Sequence, residues 1–249
     1  MNLDINERID EVNDKLSLIQ KTDGLTFGTD ALLLAGYISG KYKNGAEFGG
    51  GSGIISMLVL IREKIDRVTA YEVQEDYAEL ISRNAELNLL SDRLRSVCCD
   101  VRGLDSDECF DIVFTNPPYM KSDGGKNNTS GAKSIARHEI CGSIGDFCRA
   151  AAKKLKYGGA FYAVYRPDRL ADIFSAMREN GLEPKRVTFV HANSQKEASM
   201  VLIEAKRGAK SGMMLTPPLI IYDSEDNAKY STDMNFIMEN GSFPKKFKR

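Results

Sequence analysis

Residues 46–55 read AEFGGGSGII and join a predicted strand to a predicted helix, IISMLVLIREK, through closely spaced glycines. Gly49, Gly51 and Gly53 permit a tight turn and let the backbone approach a ligand, with helix amides facing it. The spacing Gly-x-Gly-x-Gly differs from the Gly-x-Gly-x-x-Gly of dinucleotide-binding folds, which argues against a nicotinamide-dependent enzyme. Glycine-rich turns also occur for packing reasons alone, so the interpretation depends on the surrounding sequence.

Strand and helix patterns alternate on both sides of this turn. Predicted strands cover 66–73, 94–101, 110–115, 160–167, 186–192 and 199–207, and predicted helices cover 28–38, 74–90, 142–157 and 168–181. Regular βα alternation predicts an α/β fold with a mostly parallel sheet of seven strands and helices on both faces.

The length and hydrophobic pattern predict one main domain with two extensions. The 249 residues, 42% of them hydrophobic, suffice for a single large α/β unit. We expect an N-terminal helical cap over 1–45, a core domain over 46–207, and an extension over 208–249 that packs on the same domain. Residues 120–136 are rich in Gly, Ser, Asn and Lys and predict a long loop.

The net charge of −1 hides an asymmetry between the two parts of the chain. Residues 1–150 carry 17 Lys and Arg against 24 Asp and Glu, whereas residues 151–249 carry 17 against 11. The basic C-terminal part ends in FPKKFKR, a pattern that suits either nucleic-acid contact or solvated surface.

Cysteine usage and hydropathy indicate the compartment. The five cysteines include no Cys-x-x-Cys pair, so neither a disulfide framework nor a metal site is expected. No apolar run is as long as a membrane span, and the first residues, MNLDINERIDEVNDK, are acidic and polar. We therefore expect a cytoplasmic protein without a membrane partner.

Acidic residues follow three successive predicted strands. Glu47 ends the strand before the glycine turn, Glu72 lies 19 residues after Gly53 at the end of the next strand, and Asp100 ends the third. Carboxyl ends of parallel strands meet at one sheet edge, where a carboxylate can hold the hydroxyls of a ribose. Three acids at one edge make a simple packing turn a poor explanation.

The fourth strand stops at Asn116-Pro117-Pro118-Tyr119, because consecutive prolines cannot donate to a sheet ladder. The Asn116 side-chain oxygen and the Pro117 carbonyl can accept the two N–H bonds of a planar NH₂ group. Tyr119 offers a flat face for stacking. The motif thus predicts a clamp for an exocyclic amine or amide, the alternative being an ordinary Asn-Pro turn.

With these features the sequence resembles the class I methyltransferases, which implies S-adenosylmethionine as cofactor and S-adenosylhomocysteine as product. The resemblance places Glu72 at the ribose and Asp100 with Val101 at the adenine. Thr29 and Asp30 would begin a helix over the methionine end, or form a simple N-cap pair. The cofactor-binding residues implied are Thr29, Asp30, Glu47, Gly49, Gly51, Gly53, Glu72, Val73, Asp100, Val101 and Asn116.

The NPPY motif is similar to that of amino-methyltransferases. The whole chain most resembles the bacterial tRNA adenine-N6 methyltransferases, through FGTDALLLA, TNPPY, IARHE, RPDRL, EPKRVTFVH, KEASMVLIEA and PPLIIYD. The resemblance implies methylation of N6 of the adenine at nucleotide 37 of a valine tRNA. A ribosomal RNA base, a protein glutamine, or RNA binding without catalysis remain as alternatives.

Basic residues near the motifs are candidates for RNA contact, with solvated surface as the alternative. His138 follows the predicted loop, whereas His191 is expected to be structural. The RNA-binding candidates are Lys121, Arg137, His138, Arg166, Arg169, Lys185, Arg186, Lys245, Lys246, Lys248 and Arg249. We expect tRNA as the partner of a monomeric enzyme.

Overall fold

The structure, a computed structural model, describes residues 3–22, 27–104, 107, 109–117, 142–224 and 228–248. The strands are β1 Glu7–Asn13, β2 Leu16–Lys21, β3 Tyr42–Phe48, β4 Ile65–Glu72, β5 Leu94–Cys98, β6 Phe110–Thr115, β7 Leu155–Tyr165, β8 Leu182–His191, β9 Ala198–Arg207, β10 Met214–Leu215 and β11 Leu219–Ile220. The helices are α1 Thr29–Tyr37, α2 Ile54–Ile61, α3 Glu75–Leu87, α4 Ile144–Lys154, α5 Leu170–Glu179 and α6 Thr232–Asn240, with 3-10 turns at Val101–Gly103, Pro167–Arg169 and Lys245–Phe247.

The main sheet confirms the predicted α/β class. Seven strands lie in the order β8-β9-β7-β6-β3-β4-β5, and the pairs among β7, β6, β3, β4 and β5 are parallel. Strand β9 runs antiparallel to both β7 and β8. The two-residue strands β10 and β11 extend the sheet along β8.

Alternating side chains of the central strands supply both faces of the sheet. On β6, Ile112 and Phe114 join the cluster formed with α1, α2 and the C-terminal segment. Val113, between them, joins the opposite cluster with α4 and α5. This period of two is why an uninterrupted apolar run forms a strand buried on both faces.

The N-terminal segment differs from the predicted helical cap. Before α1, strands β1 and β2 form an antiparallel hairpin in which Asn13 pairs with Leu16. The backbone N–H of Lys15 donates to the Asn13 side chain at 2.9 Å, which stabilises the tight turn. Leu16 and Leu18 contact one buried cluster while Ile19 contacts another, so the segment is apolar on both faces and forms a strand.

Two asparagines of α3 and its C-terminal end hold this hairpin against the domain. Buried Asn84 accepts from the Ile19 N–H at 2.7 Å and donates to the carbonyls of Ile19 and Ser52 at 3.1 and 3.0 Å. One turn later, Asn88 makes the equivalent pair of bonds with the Ser17 backbone. Within the described residues, strand β2 has no neighbouring strand on this side, and these two side chains make hydrogen bonds that such a strand would otherwise make.

The C-terminal segment is anchored by aromatic side chains. Phe243 and Phe247 are fully buried in the cluster that includes α1 and α2. Helix α6 adds Met234 and Ile237 to the same cluster. In the described part of the chain, no helix has the length and apolar character needed to cross a membrane.

Candidate active site

The glycine turn lies between β3 and α2, at the carboxyl edge of the sheet. Gly49, Gly51 and Gly53 have φ angles of 73°, 54° and 81°, in the left-handed region that favours glycine. The amides of Gly49 and Gly50 donate to the Tyr71 carbonyl of β4 at 2.9 and 3.1 Å. The backbone conformation therefore explains the glycine at each of the three predicted positions.

Glu72, at the end of β4, faces this turn. One carboxylate oxygen accepts from the Gly51 amide at 2.9 Å, and the other accepts from the Gln74 amide at 3.1 Å. The residue is only 5% exposed. Val73 follows at the same edge. A carboxylate fixed by two backbone amides keeps lone pairs for further donors, such as ligand hydroxyls.

Glu47 is directed to α2. Its carboxylate accepts from the backbone N–H of Ser56 at 3.1 Å and from the Ser56 hydroxyl. Burial raises the pKa of Glu47 to about 8, the Ser56 hydrogen bonds oppose this rise, and nearby Glu72 adds to it. Glu47 therefore connects the end of β3 to the first turn of α2.

Asp100, after β5, begins the 3-10 turn that contains buried Val101. Its carboxylate accepts from the Arg102 backbone N–H at 2.9 Å and is bound by the Arg102 guanidinium at 2.5 to 3.0 Å. These bonds hold the pKa of Asp100 below its usual range. The charged form is thus maintained at the third acidic position of the edge.

Asn116, after β6, meets the first turn of α1. Its side-chain nitrogen donates to Asp30 Oδ2 at 2.9 Å, across 86 residues of sequence. The N-cap of α1 is Gly28, and no side chain caps this helix. The simple N-cap interpretation of Thr29 and Asp30 is therefore wrong, because the carboxylate of Asp30 binds the amide of the NPPY motif instead.

A cavity of about 360 Å³ opens beside this pair. It is lined by Thr29, Asp30, Tyr165, Arg166, Ser199 and Met200. Tyr165 ends β7, and the antiparallel β9 brings its first residues to the same edge. A mixed aromatic, apolar and polar lining of this size suits a small planar organic group.

Part of the predicted site falls outside the described residues. Of the clamp, Asn116 and Pro117 are described. The remaining predicted positions outside the described ranges are Pro118, Tyr119, Lys121, Arg137, His138 and Arg249.

Two predicted RNA-binding residues are structural instead. Arg186 is fully buried and donates to Glu204 at 2.9 Å and to the carbonyls of Phe247 and Tyr37 at 2.7 and 2.8 Å. Lys185 is 5% exposed and donates to the Lys210 carbonyl at 2.9 Å. Burial with internal acceptors rules out phosphate contact, so both predictions were wrong.

The other described candidates lie near the surface. The half-buried Arg166 and Arg169 form ion pairs with Asp168 and Asp172. His191 binds the Lys196 carbonyl through Nδ1 at 2.8 Å, a local backbone contact. The C-terminal cations Lys245, Lys246 and Lys248 lie at the surface, and Lys246 pairs with Asp233 at 2.7 Å.

Sequence patterns missed several residues that shape the site. Ser56 holds the Glu47 carboxylate through hydrogen bonds. The sequence offered one indication of this role, namely a polar residue two positions into a predicted apolar helix. Tyr165, Ser199 and Met200 line the cavity through strand pairing, which the one-dimensional pattern does not reveal. Within the described ranges, no group of three or more His, Cys, Asp and Glu residues is arranged to hold a metal ion.

Comparison with known proteins identifies the family of this chain. Residues 21–180 match the family described as methyltransferase small domain. The tRNA1(Val) (adenine(37)-N6)-methyltransferase of Phocaeicola vulgatus is 27% identical over 198 residues, which cover 78% of this chain and 79% of the relative. A protein of the same name from Flavobacterium johnsoniae is 25% identical over 217 residues, covering 84% of this chain and 90% of the relative.

Solved structures show the same fold. A predicted O-methyltransferase from Agrobacterium tumefaciens matches with a TM-score of 0.70 and 24% identity, over 86% of this chain and 98% of that one. Geranyl diphosphate C-methyltransferase from Streptomyces coelicolor, solved with S-adenosyl-L-homocysteine, matches with a TM-score of 0.54 and 15% identity, over 72% and 77%. At these identities the likeness concerns the fold alone.

Proposed function

Because the chain belongs to the methyltransferase small domain family, we propose that it methylates N6 of adenine in tRNA, at nucleotide 37 of a valine tRNA. The relatives that match most of the chain carry that activity in their names. The observation that carries the proposal is the bond between Asn116 and Asp30, because it orients the amide of the predicted clamp. The proposal implies a cytoplasmic protein that binds tRNA.

The residues at the sheet edge fit S-adenosylmethionine, the cofactor of this class. A Cβ at Gly51 would have no heavy atom within 4 Å, so the turn has open space above it. Glu72 would hold the ribose hydroxyls, and Asp100 with the Val101 amide would hold the adenine. When bound, the cofactor supplies an electrophilic methyl group.

Asn116 and Pro117 would orient the acceptor nitrogen. The Asn116 amide is planar, and its nitrogen is directed to Asp30, so its oxygen lies on the other branch as an acceptor. Together with the Pro117 carbonyl it would accept both N–H bonds of an NH₂ group. An exocyclic amine is a poor nucleophile because its lone pair is delocalised, and fixed orientation compensates for part of this weakness.

The fixed backbone supports this arrangement. Asn116 and Pro117 each precede a proline, which disfavours helical backbone at both positions, and the prolines have no N–H with which to continue the sheet ladder. Thr115, just before the clamp, donates its hydroxyl to the Phe48 carbonyl at 2.8 Å. The clamp is therefore tied directly to the strand that ends in the glycine turn. The additional proton can leave after the nitrogen becomes cationic, so no base is required before attack.

The first experiment uses labelled S-adenosylmethionine and bulk tRNA from cells that lack this protein, followed by nucleoside analysis. We expect label in N6-methyladenosine. Asn116→Ala should abolish transfer and leave cofactor binding close to wild type. Asn44→Ala, at the exposed amino end of β3, is the matched control and should retain activity.

The remaining outcomes separate the alternatives. If tRNA is not labelled, transfer of label to ribosomal RNA or to a protein glutamine, each offered in place of tRNA, would replace the tRNA proposal with another amine or amide substrate. Cofactor binding without transfer to any of these substrates would favour an RNA-binding module without catalysis. Full activity of Asn116→Ala would contradict the clamp itself.

A further inference from the structure

We propose that Asp30 is a positioning residue that makes Asn116 present its oxygen, and not its nitrogen, to the target amine. The inference rests on the proposed function and extends it to which exocyclic group of the substrate the site accepts. It concerns the start of α1, where Asp30 binds Asn116 and lines the cavity, and where Gly28 lies beside the Asp30 carboxylate.

Only one orientation of the Asn116 amide can form a hydrogen bond with the Asp30 carboxylate. An ionised carboxylate only accepts hydrogen bonds, so its contact at 2.9 Å must be with the amide nitrogen of Asn116. Rotation of the amide by half a turn would place two oxygens together and break the bond. The bond to Asp30 therefore favours one of the two orientations that an asparagine side chain can adopt.

Gly28 provides the space for this contact. A Cβ at position 28 would lie 2.7 Å from Asp30 Oδ1, closer than the two atoms can approach. The φ angle of Gly28 is −115°, which any residue can adopt, so a side chain at this position would be opposed by the Asp30 carboxylate and not by the backbone. A methyl group here would displace the end of the Asp30 side chain.

The cavity explains what this orientation selects. Asp30 lines the cavity with Tyr165 and Met200, and Asn116 binds Asp30 directly. A planar base in the cavity would lie against Asp30, and the proposal puts its exocyclic group at the acceptor oxygen of Asn116, the residue that Asp30 binds. An amine donates two hydrogens to such a site, whereas a carbonyl in the same position would be repelled. The pair thereby discriminates an amino purine from an oxo purine.

Asp30→Asn tests this inference, because the amide pair can then adopt either orientation at unchanged size. We expect kcat to fall about 10- to 100-fold, while the affinity for S-adenosylmethionine stays close to wild type. The specific readout is binding of an anticodon stem-loop of valine tRNA with adenosine or inosine at position 37. The preference of wild type for adenosine should fall by about tenfold in Asp30→Asn.

Gly28→Ala disturbs the same contact without changing either partner, and it should reduce kcat in the same direction. Asp66→Asn, at the exposed amino end of β4, controls for removal of an acidic group. Gly145→Ala controls for the added methyl group, whose nearest neighbour would be Ser143 Oγ at 3.5 Å, an ordinary contact. Both controls should behave as wild type.

The outcomes distinguish the inference from the proposed function. Wild-type kcat and an unchanged adenosine preference in Asp30→Asn would overturn the positioning role while leaving tRNA methylation intact. Loss of activity with an unchanged adenosine preference would also overturn it, since that result indicates a merely structural residue. A wild-type protein that transfers no methyl group to tRNA overturns the proposed function, and with it the inference.

Discussion

Glu47→Gln should abolish a pH-dependent loss of stability that originates in the β3–α2 connection. Glu47 is 1% exposed and accepts two hydrogen bonds from Ser56. Burial raises its pKa from 4.5 to about 8. Glutamine has the same shape, can still accept from Ser56, and carries no charge at any pH.

The sign of this pH dependence follows from the protonation of Glu47 in the unfolded and in the folded protein. In the unfolded protein Glu47 loses its proton near pH 4.5, whereas in the folded protein it keeps the proton until about pH 8. The stabilising contribution is complete below pH 4.5 and is lost as pH rises through 8. The whole shift corresponds to roughly 5 kcal/mol, of which about 3 to 4 kcal/mol falls between pH 5 and pH 8.

The assay is urea unfolding of the cofactor-free protein at several pH values, because a ligand that binds only the folded state would add its own pH dependence. The quantity to plot is the free energy of unfolding of Glu47→Gln minus that of wild type. Titrating groups that do not interact with Glu47 then cancel, including those with lowered pKa values. We expect this difference to rise by about 3 to 4 kcal/mol from pH 5 to pH 8.

Glu63→Gln serves as the control for removing a carboxylate from the surface, since the Glu63 side chain is 78% exposed. Its difference from wild type should stay level across the same pH range. A level difference for Glu47→Gln as well would show that the folded protein holds this carboxylate in its charged form. The reasoning from burial would then be refuted.

Three further variants test the site and its supports. Glu72→Ala removes the carboxylate that faces Gly51 and should weaken S-adenosylmethionine binding about 10- to 100-fold in calorimetry. Arg186→Leu leaves Glu204 buried without its cation and should lower the free energy of unfolding by about 3 to 5 kcal/mol, measured by urea unfolding. Replacing the three described tail lysines with glutamine should weaken tRNA binding. The slope of log affinity against log salt concentration should fall by about 0.7 to 0.9 for each phosphate that is no longer neutralised. An unchanged slope would exclude phosphate contact by the tail. The lysines are Lys245, Lys246 and Lys248.

The sequence predicted best those residues whose presence has a single, local physical reason. Gly49, Gly51 and Gly53 could be predicted because a tight βα turn needs positive φ angles, which the structure has. Glu72 could be placed at the sheet edge because parallel strands end together. The mostly parallel sheet followed from the regular alternation of strands and helices.

Residues whose role depends on a distant partner could not be predicted in the same way. Asp30 looked like an N-cap residue because sequence shows only its neighbours, whereas its partner Asn116 lies 86 residues away. The hairpin before α1 was missed for a related reason. Its strand β2 is completed by Asn84 and Asn88, and no local pattern marks asparagines of a helical segment as partners of a strand.

The count of cationic residues overestimated the basic surface, because some of these side chains are buried. The same burial limits how the role of the tail can be tested. Among the 17 cations of residues 151–249, Lys154, Lys185 and Arg186 are buried, so part of the excess charge stabilises the interior. Phe247, between the tail lysines, is itself buried, and its carbonyl accepts from Arg186. Deleting the tail would remove that aromatic ring and that acceptor together with the charges. A weaker affinity for tRNA after truncation would therefore combine the loss of these interior contacts with the loss of charge. The glutamine substitutions keep Phe247 in place and remove the charges, together with the surface ion pair between Lys246 and Asp233.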